Sequence, residues 1–104
     1  MKAIFRPRFI LDVEDTADCL HGEAGEEVAL HWRDALKPTV RTLREHPELG
    51  RLRSDLPLVG IRTLYVKGFP KWLVFYRLNP DSLEFLRVKH GMMHLPGLFE
   101  PPSP

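Results

Sequence analysis

With 104 residues, 43% apolar and 28% charged, the chain is long enough for one hydrophobic core, too short for two, and too apolar for intrinsic disorder. No apolar run approaches the roughly 20 residues of a spanning helix, and Met1-Lys2-Ala3 does not open a secretory signal, so a cytoplasmic protein with no membrane partner is expected. The single cysteine, Cys19, excludes an internal disulfide and a thiolate zinc cluster, and the net charge of +1 hides acids gathered in residues 12–27 and bases in 33–89.

Lys2 to Phe5 reads as a short strand, and Arg6-Pro7 as a helix start, because the N–H that proline lacks has no partner in a first helical turn. From Arg8, Phe9, Ile10, Val13, Ala17 and Leu20 recur at helical spacing, with Asp12, Glu14, Asp15 and Asp18 on the other side; this helix should end near His21-Gly22. Cys19 falls inside the pattern as a small packing residue. A second helix follows Gly25, with Glu26 and Glu27 in its first turn and Val28, Trp32, Leu36, Val40 and Leu43 on one face. Pro38 removes a backbone hydrogen bond and predicts a kink or break near Asp34 to Lys37. His46-Pro47-Glu48-Leu49-Gly50 ends the helix, and residues 51–60 form a polar connection.

Ile61 to Val66, Trp72 to Leu78 and Leu83 to Lys89 then read as three strands joined by short turns, which makes them antiparallel neighbours. The predicted fold is α+β, in the order β-α-α-β-β-β, an antiparallel sheet with a helical hairpin packed on one face. A single domain is expected over residues 1–100, followed by a disordered Pro-rich tail over 101–104.

That element order, with Phe9 to Leu20, His46-Pro47-Glu48-Leu49-Gly50-Arg51, Val66-Lys67-Gly68-Phe69, Leu73-Val74-Phe75-Tyr76-Arg77 and Leu86-Arg87-Val88-Lys89-His90-Gly91, resembles the ParE branch of the RelE/ParE toxin family over nearly the whole chain. The resemblance implies the toxin of a bacterial type II toxin-antitoxin (plasmid stabilization) pair, held in a hetero-oligomer by a cognate antitoxin. It further implies inhibition of DNA gyrase by binding, without catalysis. On the same scaffold the RelE branch cuts messenger RNA on the ribosome, and fold alone does not separate the two. The chain departs from the ParE pattern at Met92-Met93-His94, where an arginine and an aspartate often follow His-Gly. That loss of a cation leaves a third reading, a member that binds its antitoxin but is no longer toxic.

If the Asn79–Ser82 turn pairs Leu78 with Leu83 and the register continues unbroken, the last hairpin sorts into two faces. One carries Leu73, Phe75, Leu86 and Val88, with Arg77 opposite Glu84, and should receive the helices. The other carries Trp72, Val74, Tyr76, Leu78, Phe85, Arg87 and Lys89. Trp72, Val74, Tyr76, Phe85, Arg87 and Lys89 are then the candidate surface for antitoxin or target, unless the apolar tail Met92 to Phe99 covers it. A bulge in the hairpin would exchange the two sets.

RNA cleavage needs a base, an acid and cations for the phosphate. Arg62, Arg77, Arg87 and His90 are the nuclease candidates, but on this register His90 points away from Arg87, and no tyrosine lies near the C-terminus. The histidines His21, His31, His90 and His94 lack carboxylates or cysteines at ligand spacing, and there is no glycine-rich phosphate loop, so neither metal nor cofactor is expected.

Overall fold

The structure is a computed structural model that describes residues 1–91 and residue 99. The sites expected at Met92-Met93-His94 and in the tail 101–104 lie outside these residues. The chain runs β1 (Lys2–Phe5), α1 (Pro7–Ala24), α2 (Glu26–Glu45), β2 (Arg51–Leu52), β3 (Ile61–Val66), β4 (Phe69–Leu78) and β5 (Ser82–His90). The strands form one sheet in the order β1-β5-β4-β3-β2, with the helical hairpin on one face. The sheet is antiparallel from β5 through β2, and β1 joins it by parallel pairing to β5.

Arg6, extended at φ −71° and ψ 151°, hands the chain to Pro7 in the first turn of α1. The helix passes through Gly22 and stops at Gly25, whose φ of 95° suits only glycine. Gly25 closes α1 by donating its N–H to the His21 carbonyl and opens α2 by accepting the Ala29 N–H. One residue thus serves as the whole connection.

In α2 the buried positions are Ala29, Trp32, Leu36, Thr39 and Leu43, an alternation of three- and four-residue steps. Of the kink or break expected near Asp34 to Lys37, no break occurs: α2 runs unbroken through Pro38. Next to it, the Thr39 hydroxyl donates to the Ala35 carbonyl and accepts the Lys67 N–H, tying the helix to the β3–β4 turn. The strand β2 was not expected, because two polar-flanked residues carry no alternation; pairing of Arg51 with Thr63 and Leu52 with Arg62 creates it.

The register of β4 and β5 decides which face the helices cover. Leu78 pairs Leu83, Arg77 pairs Glu84 and Tyr76 pairs Phe85, as expected, but Phe75 then pairs Arg87 and the shift persists to Trp72 and His90. Leu86 is the extra residue of a bulge. The face assignment is therefore corrected. Trp72, Val74, Tyr76, Leu78, Leu83, Phe85 and Val88 pack under the helices with Phe9, Trp32, Leu36, Leu43 and Val66. Leu73, Phe75 and Leu86 lie on the other face with Leu56 and Ile61.

The physical reason is segregation. An unbroken register would put Arg87 and Lys89 beside Val74, Tyr76 and Phe85. Slipping one residue sends Arg77, Glu84, Arg87 and Lys89 to one face and leaves the larger apolar set for the core.

Candidate partner-binding surfaces

The residues expected to form an open partner surface do not do so together. Val74, Tyr76 and Phe85 are fully buried, and Trp72 packs edge-on between Trp32 (centroids 5.6 Å) and His90 (5.2 Å). Only Arg87 and Lys89 of that set stand on the side away from the helices, and both reach round the sheet edge to Asp12.

Asp12 was expected on the solvent side of α1; it is instead 3% exposed. Where β1 ends, α1 runs along the edge of β5, and the Asp12 carboxylate accepts the Val88 N–H at 3.1 Å in place of a neighbouring strand. Arg87 grips it through two bonds of 2.7 and 3.1 Å, and the Lys89 ammonium lies at 3.1 Å. Cys19, expected to pack, is exposed on α1. The neighbouring Glu23 carboxylate, with a smaller contribution from desolvation, pushes its thiol up, which disfavours the reactive thiolate.

The four nuclease candidates are spread over separate contacts. Arg62 donates to the carbonyls of Glu48 and Gly50. Arg77 bonds Glu84, which also receives Arg6 and the Asn79 amide. Arg87 is committed to Asp12, and His90 stands edge-on to Trp72. Arg62 and Tyr76 together explain the Pro47-Glu48-Leu49-Gly50 segment: the Tyr76 hydroxyl donates to the Pro47 carbonyl and accepts the Gly50 N–H. Burial pushes that hydroxyl up, keeping it protonated for the task. A Cβ on Gly50 would fall 2.5 Å from the Tyr76 oxygen, so only glycine fits. Among the described residues no three His, Cys, Asp or Glu side chains gather as metal ligands.

Sequence reasoning missed a groove of about 710 Å³ between the helices. Its floor is Phe5, Phe9, Val13, Leu36 and Val40, and Lys37, Arg41, Arg44 and Glu45 form one wall. Phe5, 42% exposed, stacks on buried Phe85 with centroids 5.0 Å apart, so the floor is anchored to the core. Arg33, Lys37, Arg41 and Arg44 follow one side of α2 at helical spacing, all exposed. Among the described residues none of the four has a carboxylate at ion-pair distance, whereas Arg6, Arg53, Arg77, Arg87 and Lys89 all do. That spacing was visible in the sequence; its position beside an apolar groove required the angle between α1 and α2.

The family model for the ParE toxin of the type II toxin-antitoxin system parDE matches residues 3–95. Toxin ParE3 of Caulobacter vibrioides is 39% identical over 71 residues, which cover 68% of this chain and 67% of that protein. Among solved structures, one described as the chromosomal ParDE TA system from P. aeruginosa superposes with a TM-score of 0.72 at 22% identity. It covers 86% of this chain and 95% of that one. YafQ from E. coli strain BL21(DE3) superposes with a TM-score of 0.56, also at 22% identity, over 95% and 98% of the two chains. These two likenesses establish the shared fold, a sheet with a two-helix layer, and the family match over residues 3–95 goes further: the chain belongs to the ParE toxin family of type II toxin-antitoxin systems.

Proposed function

We propose that this ParE-family toxin acts by binding DNA gyrase rather than by cutting RNA. The dispersal of Arg62, Arg77, Arg87 and His90 carries this reading. In-line attack on a phosphodiester requires an acid, a base and a cation within reach of one phosphate. Here the three guanidiniums serve the 48–50 loop, Glu84 and Asp12, on different parts of the sheet. A binding poison needs no such convergence, only an exposed surface of matched shape and charge.

The groove between α1 and α2 is the seat we assign to the antitoxin. Its apolar floor suits one face of an amphipathic helix, and Lys37, Arg41 and Arg44 suit carboxylates along that helix's flank. Reversing two of these charges, Lys37→Glu with Arg41→Glu, should weaken antitoxin binding about tenfold or more, mostly through slower association at low salt. Unchanged affinity in a titration would move the antitoxin elsewhere.

The target is tested by inducing the chain without its antitoxin and assaying supercoiling by purified gyrase alongside message integrity in the cells. Blocked supercoiling with intact messages is expected. Specific message cleavage with normal supercoiling would overturn the reading in favour of a ribosome-dependent endoribonuclease. No effect in either assay would leave a toxin that has kept its partner and lost its activity.

A further inference from the structure

The outer side of the helical layer is acidic along one helix and basic along the other. On α1, Ile10, Leu11, Glu14 and Asp18 lie opposite the buried Phe9, Asp12 and Thr16 at about 100° per residue, and all four are exposed. On α2, over residues 33–45, the exposed cations Arg33, Lys37, Arg41 and Arg44 outnumber the exposed acids Asp34 and Glu45. Three large apolar side chains stand among these charges: Ile10, Leu11 and Leu30 are 48%, 51% and 51% exposed.

Gly25 alone joins the helices, so residues equally far from it stand at the same height. Asp18 comes level with Arg33, and Glu14 with Lys37. Asp18 and Arg33 accordingly line one hollow, and Val13 and Lys37 one groove. Yet among the described residues no ion pair joins either acid to either cation.

A second copy of the chain completes these pairs. Turned about a two-fold axis parallel to the helices, it lays its α1 over α2 and its α2 over α1 without changing any height. Asp18 then meets Arg33 of the second copy and Glu14 meets its Lys37, each twice by symmetry. A two-fold axis across the helices would set acid on acid and base on base, so the charges select one arrangement.

We propose that two copies of the free chain dimerise through this helical layer, α1 of each seated on α2 of the other, closing the groove between the helices. The proposal depends on neither the gyrase reading nor the antitoxin assignment. Helices of 18 and 20 residues lying side by side cover roughly 500 Å² per copy, near the lower limit for a specific interface, so the dimer is reversible in the micromolar range.

The test is sedimentation of the full chain at low salt across the micromolar range, with two charge-reversed variants. One carries Glu14→Lys and Asp18→Lys, the other Arg33→Glu and Lys37→Glu. The parent should shift from monomer to dimer with concentration, and each variant alone should associate at least about tenfold more weakly. An equimolar mixture of the two variants should recover the dimer, because reversed acids then face reversed bases; a variant that failed to fold would not be rescued in this way. A parent that stays monomeric, a dimer indifferent to either reversal, or a mixture that does not recover would each overturn the proposal. The acid-reversed chain keeps Lys37, Arg41 and Arg44, so its titration with antitoxin separates failure of the dimer from failure of the antitoxin assignment.

Discussion

Two buried carboxylates hold β5 in place, one near each end, and they differ in the company they keep. Glu84 and Asp12 have the same side-chain exposure, 4%. The cations on Glu84, Arg6 and Arg77, are 54% and 34% exposed, whereas those on Asp12, Arg87 and Lys89, are 12% and 22% exposed. Removing Glu84 therefore leaves cations that can turn to water. Removing Asp12 leaves two that cannot do so fully, and orphans the Val88 N–H as well. The energetic weight of a buried acid is set here by its partners' access to solvent.

Asp12→Ala should accordingly have the largest effect, a loss of about 3–5 kcal/mol in urea unfolding, with faster amide exchange along β5 beyond the bulge. A loss below about 1 kcal/mol would erase the contrast. Glu84→Gln should cost about 1–2 kcal/mol, because the amide keeps an acceptor for Arg77 or Asn79 and the arginines stay hydrated.

The Glu84 variant also carries a pH signature. Burial pushes the Glu84 carboxyl up, but hydrogen bonds from Asn79, Arg6 and Arg77 outweigh it and hold the group below the usual glutamate value. The folded chain thus binds this proton less readily than the unfolded one. The stabilisation is fully present above the unfolded pKa of roughly 4.3 and fades as pH falls through the lower folded value. Glu84→Gln should flatten that acid limb. It should not abolish it, since hydrogen bonds from Arg53 draw Asp55 down to about 2, with the same sign of pH dependence.

Tyr76→Phe is the next smaller expectation, about 1 kcal/mol, from losing the acceptor for the buried Gly50 N–H. Its local mark should be faster exchange in the 47–50 segment with the rest of the sheet unchanged.

The same contrast tells how much was legible in the sequence. Glu84 meets Arg77 and Asn79 across a tight turn, seven and five residues away, and strand pairing alone was enough to place Arg77 opposite it. Asp12 meets Arg87 from 75 residues away, and helical periodicity put it on the solvent side because a lone acid in a pattern carries no mark of burial. Element order, both helices and the main hairpin followed from apolar spacing, and β2 did not, being only two residues long. The exchange of faces had a visible cause: Phe85-Leu86 interrupts the alternation just before Arg87-Val88-Lys89, so no unbroken register can keep all the charges off the apolar side. Choosing the shifted register required knowing that the helices need one unmixed face.

Lys89 offers the smallest and most informative change. Arg87 makes two bonds to Asp12 and Lys89 one contact at 3.1 Å, so Lys89→Met leaves the carboxylate compensated and should cost only about 0.5 kcal/mol. Substituting Arg87 would confound folding with function; substituting Lys89 does not, although both lie on the face away from the helices. If Lys89→Met is as stable as the parent and binds antitoxin normally but inhibits gyrase far less, the end of β5 on the face away from the helices meets the target while the helical groove meets the antitoxin. If inhibition is unchanged, the cations at this end of β5 serve Asp12 and the fold alone.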